Sequence, residues 1–390
     1  MAELFKSFFL GGFECSTHRT RGGRRLDMVA ATGHERFAAQ DFARLAGVGI
    51  RTAREGLRWH LIEKSPRRYD FSSARAILRA ARAAGVEIVW DLFHYGYPDD
   101  LDPFAAAFVD RFARFAGEFA RILKNESDAA PFVTPVNEIS FFSWCGGETG
   151  QISPFAAGRG YELKKRLVRA AIAAIEAVWK IIPRARICSI EPVFNVVAAD
   201  ENDRAAAENY RRYQFQAWDM LAGRIEPQLG GCEKHLDVVG VNYYPWNQWF
   251  YNGPVHAGAT LERTHPRYKP FRLMLSEVFE RYRRPLFVAE TGTEGAARAE
   301  WLGYVGAETR AALEAGVPVD GICLYPIVDF PGWEDDRDCQ NGLWSRADAA
   351  GERAICEHYA RELRRQQNLF ALRRDRNTRS CAASGEGNLA

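Results

Sequence analysis

The sequence predicts an α/β fold, a single closed (β/α)8 TIM barrel, on three observations. Short β-rich apolar runs alternate with longer stretches of helical period, the pattern of a parallel α/β protein. There are eight such runs, at residues 8–13, 49–54, 86–92, 131–137, 186–190, 236–243, 285–290 and 321–325. Eight parallel strands, each followed by a helix, favour closure over an open sheet, and 390 residues suit one barrel with its loops.

The intervening helices can be read individually. Ser72 or Ser73 caps a stretch carrying Ile77, Leu78 and Ala81, and Gly85 ends it. Phe104, Phe108, Phe112, Phe115, Phe119 and Ile122 recur at spacings of three and four, so the next helix lays one apolar face on the barrel. Leu163, Leu167, Ala171, Ala174, Val178 and Ile181 repeat the pattern until Pro183 stops it. The barrel domain is expected over residues 1–366. From 367 to 390 arginine is dense and apolar periodicity fades, which reads as a solvated, disordered tail.

Composition removes several function classes. At 47% hydrophobic and 26% charged residues the chain is a globular protein, not a disordered one. A formal net charge of +2 supplies no field that would select nucleic acid or an anionic membrane. The apolar stretch near the N-terminus is too short to span a bilayer and runs into the first strand, so a cytoplasmic location is expected. The eight cysteines form no CxxC pair and read as buried free thiols. His18, Asp91 and His94 could serve a metal-dependent hydrolase, but no HxH or HExxH spacing occurs, and no metal or cofactor is expected.

Two strand ends carry the residues that define the chemistry. PFVTPVNE ends at Glu138 on the fourth strand, and RPLFVAE ends at Glu290 on the seventh. A carboxylate closing a buried strand needs pairing, neutralisation or a function. Each Glu alone reads equally well as a solvated cap. Together, at the C-terminal mouth of a barrel, they match retaining glycoside hydrolysis, in which two carboxyls about 5 Å apart act as proton donor and nucleophile.

The motifs also carry a family resemblance. TPVNE and VAETG resemble the acid/base and nucleophile motifs of the clan A glycoside hydrolases. More narrowly the chain looks like glycoside hydrolase family 1, the β-glucosidase and phospho-β-glucosidase family, in order over most of residues 8–335. HERFAAQDFARLAGVGIRTAREGLRW resembles that family's second βα unit, with His34, Asp41, Gly47, Arg54 and Trp59 in place. FHYGYP, VVGVNYYPWNQW and LYPIVDFPGW resemble its segments on strands three, six and eight.

The resemblance implies a retaining β-glycosidase of small glycosides or oligosaccharides that needs no cofactor. Glu138 would be the acid/base, Glu290 the nucleophile, and Asn137 would hold the sugar 2-hydroxyl. Arg54 and Tyr244 would keep Glu290 ionised, and Glu138, close to that anion, would have its pKa raised. His94 would bridge sugar hydroxyls with both ring nitrogens, Asn242 would support the site, and His18 and Arg19 would bind sugar. Tyr325, Trp333 and Glu334 belong to the strand-eight segment. There the chain departs from the family: Tyr325 replaces the usual Trp, and Trp333 precedes Glu334 where the family has Glu before Trp. Ile139 follows the acid/base in place of Pro, and the family's sugar-binding Gln is absent. Glucose is therefore not implied. A transglycosidase with the same intermediate and a non-catalytic carbohydrate-binding barrel are the alternatives.

Overall fold

In the computed structural model, which describes residues 4–253 and 256–385, eight parallel strands close into a barrel in chain order. They are β1 (Phe9–Gly12), β2 (Thr52–Gly56), β3 (Glu87–Asp91), β4 (Phe132–Thr134), β5 (Arg186–Pro192), β6 (Val238–Asn242), β7 (Leu286–Thr291) and β8 (Val319–Leu324). β8 returns to β1, with Leu10 opposite Cys323. The outer helices are α1 (His34–Gly47), α2 (Ser72–Ala83), α3 (Ala106–Glu126), α4 (Gly160–Ile181), α5 (Gln216–Leu221), α6 (Phe271–Tyr282), α7 (Arg298–Glu314) and α8 (Glu357–Gly385). Every predicted run overlaps one barrel strand.

Two boundaries shift for local reasons. The second strand starts at Thr52 because Gly49, at φ 78°, is still turning the chain. The fourth ends at Thr134. Beyond it the chain leaves the ladder, and the Asn137 and Glu138 amides find the carbonyls of Phe93 and Ile190, each at 3.0 Å. That early exit turns Glu138 towards the mouth.

The barrel interior is filled by alternate strand residues such as Leu10, Val89, Ile190, Phe287 and Cys323, with Phe5 plugging the lower end against Phe132 and Phe287. Outside it, the apolar stripe of α3 packs as foreseen, with Phe108, Phe112 and Phe115 against Trp59. A small sheet of Asn195–Val197, Gln248–Asn252 and His256–Thr260 stands beside the C-terminal mouth.

Three readings of the sequence need correction or completion. α2 is entered through Phe71, and the Ser72 amide is met by Asp70 Oδ1 at 3.0 Å, so neither serine caps the helix with its side chain. The expected boundary at 366 falls inside α8. Phe370 is buried and stacks on Phe8 with ring centroids 4.1 Å apart, and Gln367 donates to the Val48 carbonyl at 2.8 Å. The side chains from 374 and all of 386–390 lie outside the described residues. Of the cysteines, Cys15, Cys145, Cys188, Cys323 and Cys339 are buried free thiols, while Cys232 and Cys356 are half-buried. The side chain of Cys381 is not among those described.

Behind β1 and β2 lies a buried ionic cluster. His34 stacks on Phe13 at 3.6 Å and bonds Asp41 through Nδ1 (2.9 Å) and Glu55 through Nε2 (2.7 Å). Arg353 clasps Asp41 at 2.7 and 2.9 Å, tying the segment before α8 to α1. Burial disfavours the imidazolium, but Glu55 and Asp41 overcome it and lift the His34 pKa to about 9. Because the folded pKa exceeds the unfolded one, this contribution is fully present below about pH 6.5 and is lost as pH rises through about 9. We expect His34→Leu to destabilise by about 3–5 kcal/mol, since two carboxylates lose their shared partner. Denaturant melts at pH 6 and pH 9.5 check this, and the deficit should shrink at the higher pH.

Candidate active site

The strand ends open into a cavity of about 1300 Å³ whose walls include Glu138, Glu290, His94, Tyr244, Tyr325 and Trp333. Such a mouth is where barrel enzymes place their reactive groups. Its centre is Arg54, on β2, fully buried. Nη1 donates to Glu290 Oε1 at 2.9 Å and to the Ala289 carbonyl at 2.8 Å. Nη2 donates to Asp91 Oδ2 at 2.6 Å and to Asn137 Oδ1 at 3.0 Å. Its carbon lies 5.2 Å over the Tyr325 ring. That ring fits only because Gly12 lacks a side chain, as a Cβ there would come within 2.1 Å of it.

Glu290 sits opposite Asn242 in the β7–β6 register. Its second oxygen accepts from the Tyr244 hydroxyl at 2.8 Å, so both oxygens are held. Tyr244 in turn stacks parallel on Trp246, with centroids 5.2 Å apart. Two carboxyl oxygens gripped by a guanidinium and a phenol fix the orientation of the group before any ligand arrives.

Glu138 has the opposite environment. Its backbone is left-handed, at φ 46° and ψ 64°, a conformation that costs roughly 1–3 kcal/mol in a residue with a side chain. Its oxygens receive hydrogen bonds from Tyr95 (2.5 Å) and Asn242 (2.9 Å), with no cation. Burial first, and the Glu290 charge second, push its pKa up to about 8 against those hydrogen bonds. Behind it, Glu191 at the end of β5 accepts from the Ser140 amide at 2.9 Å and adds to the upward push.

The remaining predicted residues divide. Asn242, Tyr244, Tyr325, Trp333, Glu334 and His94 touch the site directly or through one bond. His94 does not have both nitrogens free: Nδ1 is taken by Asp91 at 3.0 Å and lies 3.2 Å from Cys15 Sγ, leaving Nε2 alone, 3.3 Å from Asn137 Nδ2. Burial disfavours its charge, yet its pKa stands well above the ordinary value. Since burial pushes Cys15 to about 11 and keeps it a thiol, the Asp91 carboxylate is the group that holds the imidazolium. Asn137 is fully buried; its amide is engaged by Arg54 and donates to Tyr95 at 3.0 Å. His18 and Arg19 are not among the cavity-lining side chains. His18 is buried edge-on to Trp333 at 4.6 Å, and Arg19 turns to the surface to bind Asp99 at 2.5 and 2.8 Å.

Cys15, Asp91 and His94 lie close enough together to suggest a metal. The Asp91 oxygen that faces the group already accepts from Arg54 at 2.6 Å, and a guanidinium on a ligand atom opposes a second cation. Sequence reading passed over Tyr95 and Glu14. Glu14 follows β1 as Glu138 follows β4 and was open to the same argument. The position of Tyr95 depends on its φ of 71°, which no residue pattern announces.

No protein-family model matches the chain, and no curated protein matches it by sequence. Solved structures do match. A family 1 β-glucosidase from Thermotoga maritima superposes with a TM-score of 0.74 at 15% identity, over 93% of this chain and 98% of that one. The fold is that of the family 1 β-glucosidases. The same glucosidase in complex with castanospermine aligns with a TM-score of 0.74 at 17% identity, covering 94% of this chain and 99% of its own. The AHE enzyme from Alicyclobacillus herbarius gives 0.75 at 16% identity, with coverages of 94% and 99%. So the glucosidase fold spans nearly all of the chain at an identity that leaves side chains free to differ. No helix among the described residues is long and apolar enough to cross a membrane.

Proposed function

We propose that the protein is a retaining β-glycosidase. The observation that carries this reading is the asymmetry of two carboxyls in one mouth: Glu290 held by Arg54 and Tyr244, and Glu138 without a cation and with its pKa raised to about 8. Opposed environments divide an acid from a nucleophile. Glu290 attacks the anomeric carbon while Glu138 gives its proton to the departing oxygen. The glycosyl ester on Glu290 is then displaced by water, whose proton returns to Glu138. The likeness to a glucosidase recorded in complex with castanospermine supports a carbohydrate in this cavity. The chain's own departures at Tyr325 and Trp333 leave glucose out of the reading.

Incubation with 2-deoxy-2-fluoro glycosides bearing good leaving groups, followed by peptide mass mapping, tests it. A sugar adduct on Glu290 is expected. An adduct on another residue, or turnover with inverted product, contradicts the reading. In addition, Glu138→Ala should lower kcat on glycosides with poor leaving groups by about 10²–10⁴-fold. It should spare 2,4-dinitrophenyl glycosides and respond to azide. In the wild type the reactive form of Glu138 is protonated, so activity on poor leaving groups should fall as pH rises through about 8.

A further inference from the structure

Glu138 stands directly before the short helical turn Ile139–Phe142, in the position of a cap, yet its side chain makes no capping bond. It reaches into the mouth instead, to Tyr95 and Asn242. Amides at the start of a helical turn have no acceptor within it and need one from outside. Glu191, on β5, supplies it. Its Oε2 accepts from the Ser140 amide at 2.9 Å, and the Ile139 amide favours its charge as well.

β5 thus holds this segment at two consecutive residues. The Ile190 carbonyl accepts from the Glu138 amide at 3.0 Å, and the Glu191 carboxyl accepts from the Ser140 amide. The two bonds bracket the left-handed φ of 46° at Glu138, which a residue with a side chain keeps only where its surroundings fix it. One step further along β5, Pro192 lies opposite Asn242 of β6, whose amide donates to Glu138 Oε1 at 2.9 Å. Backbone and carboxyl of the acid are therefore both referred to β5 and its neighbour. Glu191 itself is 2% exposed and is not among the cavity-lining side chains, so it is placed to act through Glu138 and not on a ligand. Lys164, on α4, acts on it through charge while donating to Gln216 at 2.8 Å. A carboxyl buried at a strand end needs a reason, and holding these amides is the one the geometry offers.

We propose that Glu191 is a positioning residue for proton transfer: it caps the turn in place of Glu138, fixes the left-handed backbone there, and so frees the Glu138 carboxyl and aims it at the departing oxygen. This rests on the glycosidase reading. A general acid works only from hydrogen-bond distance, and a misplacement of about 1 Å costs on the order of 10²-fold. The turn is the lever by which a residue outside the cavity governs that distance.

The test measures kcat/KM, which reports the first chemical step, for aryl β-glucosides, β-galactosides and β-mannosides whose leaving groups run from 2,4-dinitrophenol to phenol. E191A should lower kcat/KM for the phenyl glycosides by about 10–10²-fold while sparing the 2,4-dinitrophenyl glycosides, so the rate should depend more steeply on leaving-group basicity. E191Q keeps an oxygen for the Ser140 amide and should restore the wild-type slope. E191D keeps the charge but draws it back by one methylene; its slope should steepen as in E191A, and it carries the test should E191A not fold. A loss equal across leaving groups, a wild-type slope in E191A and E191D, or a steep slope in E191Q overturns the proposal. If the wild type turns over no aryl glycoside, the glycosidase reading is at fault. Crystal structures of wild type and E191D then read the placement without catalysis: a Glu138 displaced from Tyr95 and Asn242 in the variant supports the proposal, and one that stays left-handed and bonded to both overturns it.

Discussion

Glu290→Gln should leave a folded barrel that turns over activated glycosides on the order of 10⁴-fold or more slowly than wild type. The substitution keeps the shape of the side chain and an oxygen for Tyr244 or Arg54, now at 2.8 and 2.9 Å. What it removes is the anion that must bond to the anomeric carbon, and no neighbouring group can take its place. Glu138 is oriented by Tyr95 and Asn242 for proton transfer, and Glu14 bonds back onto its own turn. Single-turnover kinetics with a 2,4-dinitrophenyl glycoside, alongside circular dichroism, measure the two effects separately. Wild-type-like rates with Gln at 290 would place the nucleophile elsewhere.

Arg54→Met should produce the largest loss of stability at the site. The guanidinium is fully buried and serves four acceptors, of which Asp91 and Glu290 are carboxylates. Removing one side of a buried ion pair costs about 3–5 kcal/mol, because the charges left behind are neither solvated nor paired. Turnover should fall as well, since Glu290 loses one of its two holds. The pH dependence separates charge from packing. Burial raises the Asp91 pKa but Arg54 and His94 more than reverse it, so in the wild type Asp91 stabilises above its unfolded pKa and that contribution is lost as pH falls through the depressed one. Without Arg54 the buried carboxylate gains stability by taking a proton, so the deficit in the variant should narrow between pH 7 and pH 4. Denaturant unfolding at both pH values measures it, and a constant deficit would assign the role of Arg54 to packing alone.

The barrel was legible because each strand is a short apolar run bounded by breakers and the helices α2, α3 and α4 carry one-sided stripes, as α3 does with Phe108, Phe112 and Phe115. Glu138 and Glu290 were legible because acids at strand ends contradict the burial around them. Arg19 was misread because sequence places it beside the mouth, whereas the turn after β1 delivers it to Asp99 on the surface. The end of the chain was misread for a different reason. Tyr359, Ala360 and Leu363 bury the start of α8 before residue 366, but beyond it arginines surround the one further buried aromatic, Phe370, which stacks on Phe8. Tyr95 and the second partner of His94 belong to a third kind, in which contacts across strands decide the outcome and no local pattern records them.

The Tyr95 hydroxyl has a consequence of its own. It joins Glu138 to Asn137, Asn137 joins Arg54, and Arg54 joins Glu290, so an unbroken relay of four hydrogen bonds runs from one carboxyl to the other beneath the cavity. If Glu138 takes its proton on the oxygen facing Tyr95, the phenol must turn its hydrogen away and accept, while Asn137 and Arg54 remain the donors of the later links. The two acids are therefore held in place by one connected set of side chains. A substitution at Tyr95 or Asn137 thus reaches the placement of both acids without touching either carboxyl.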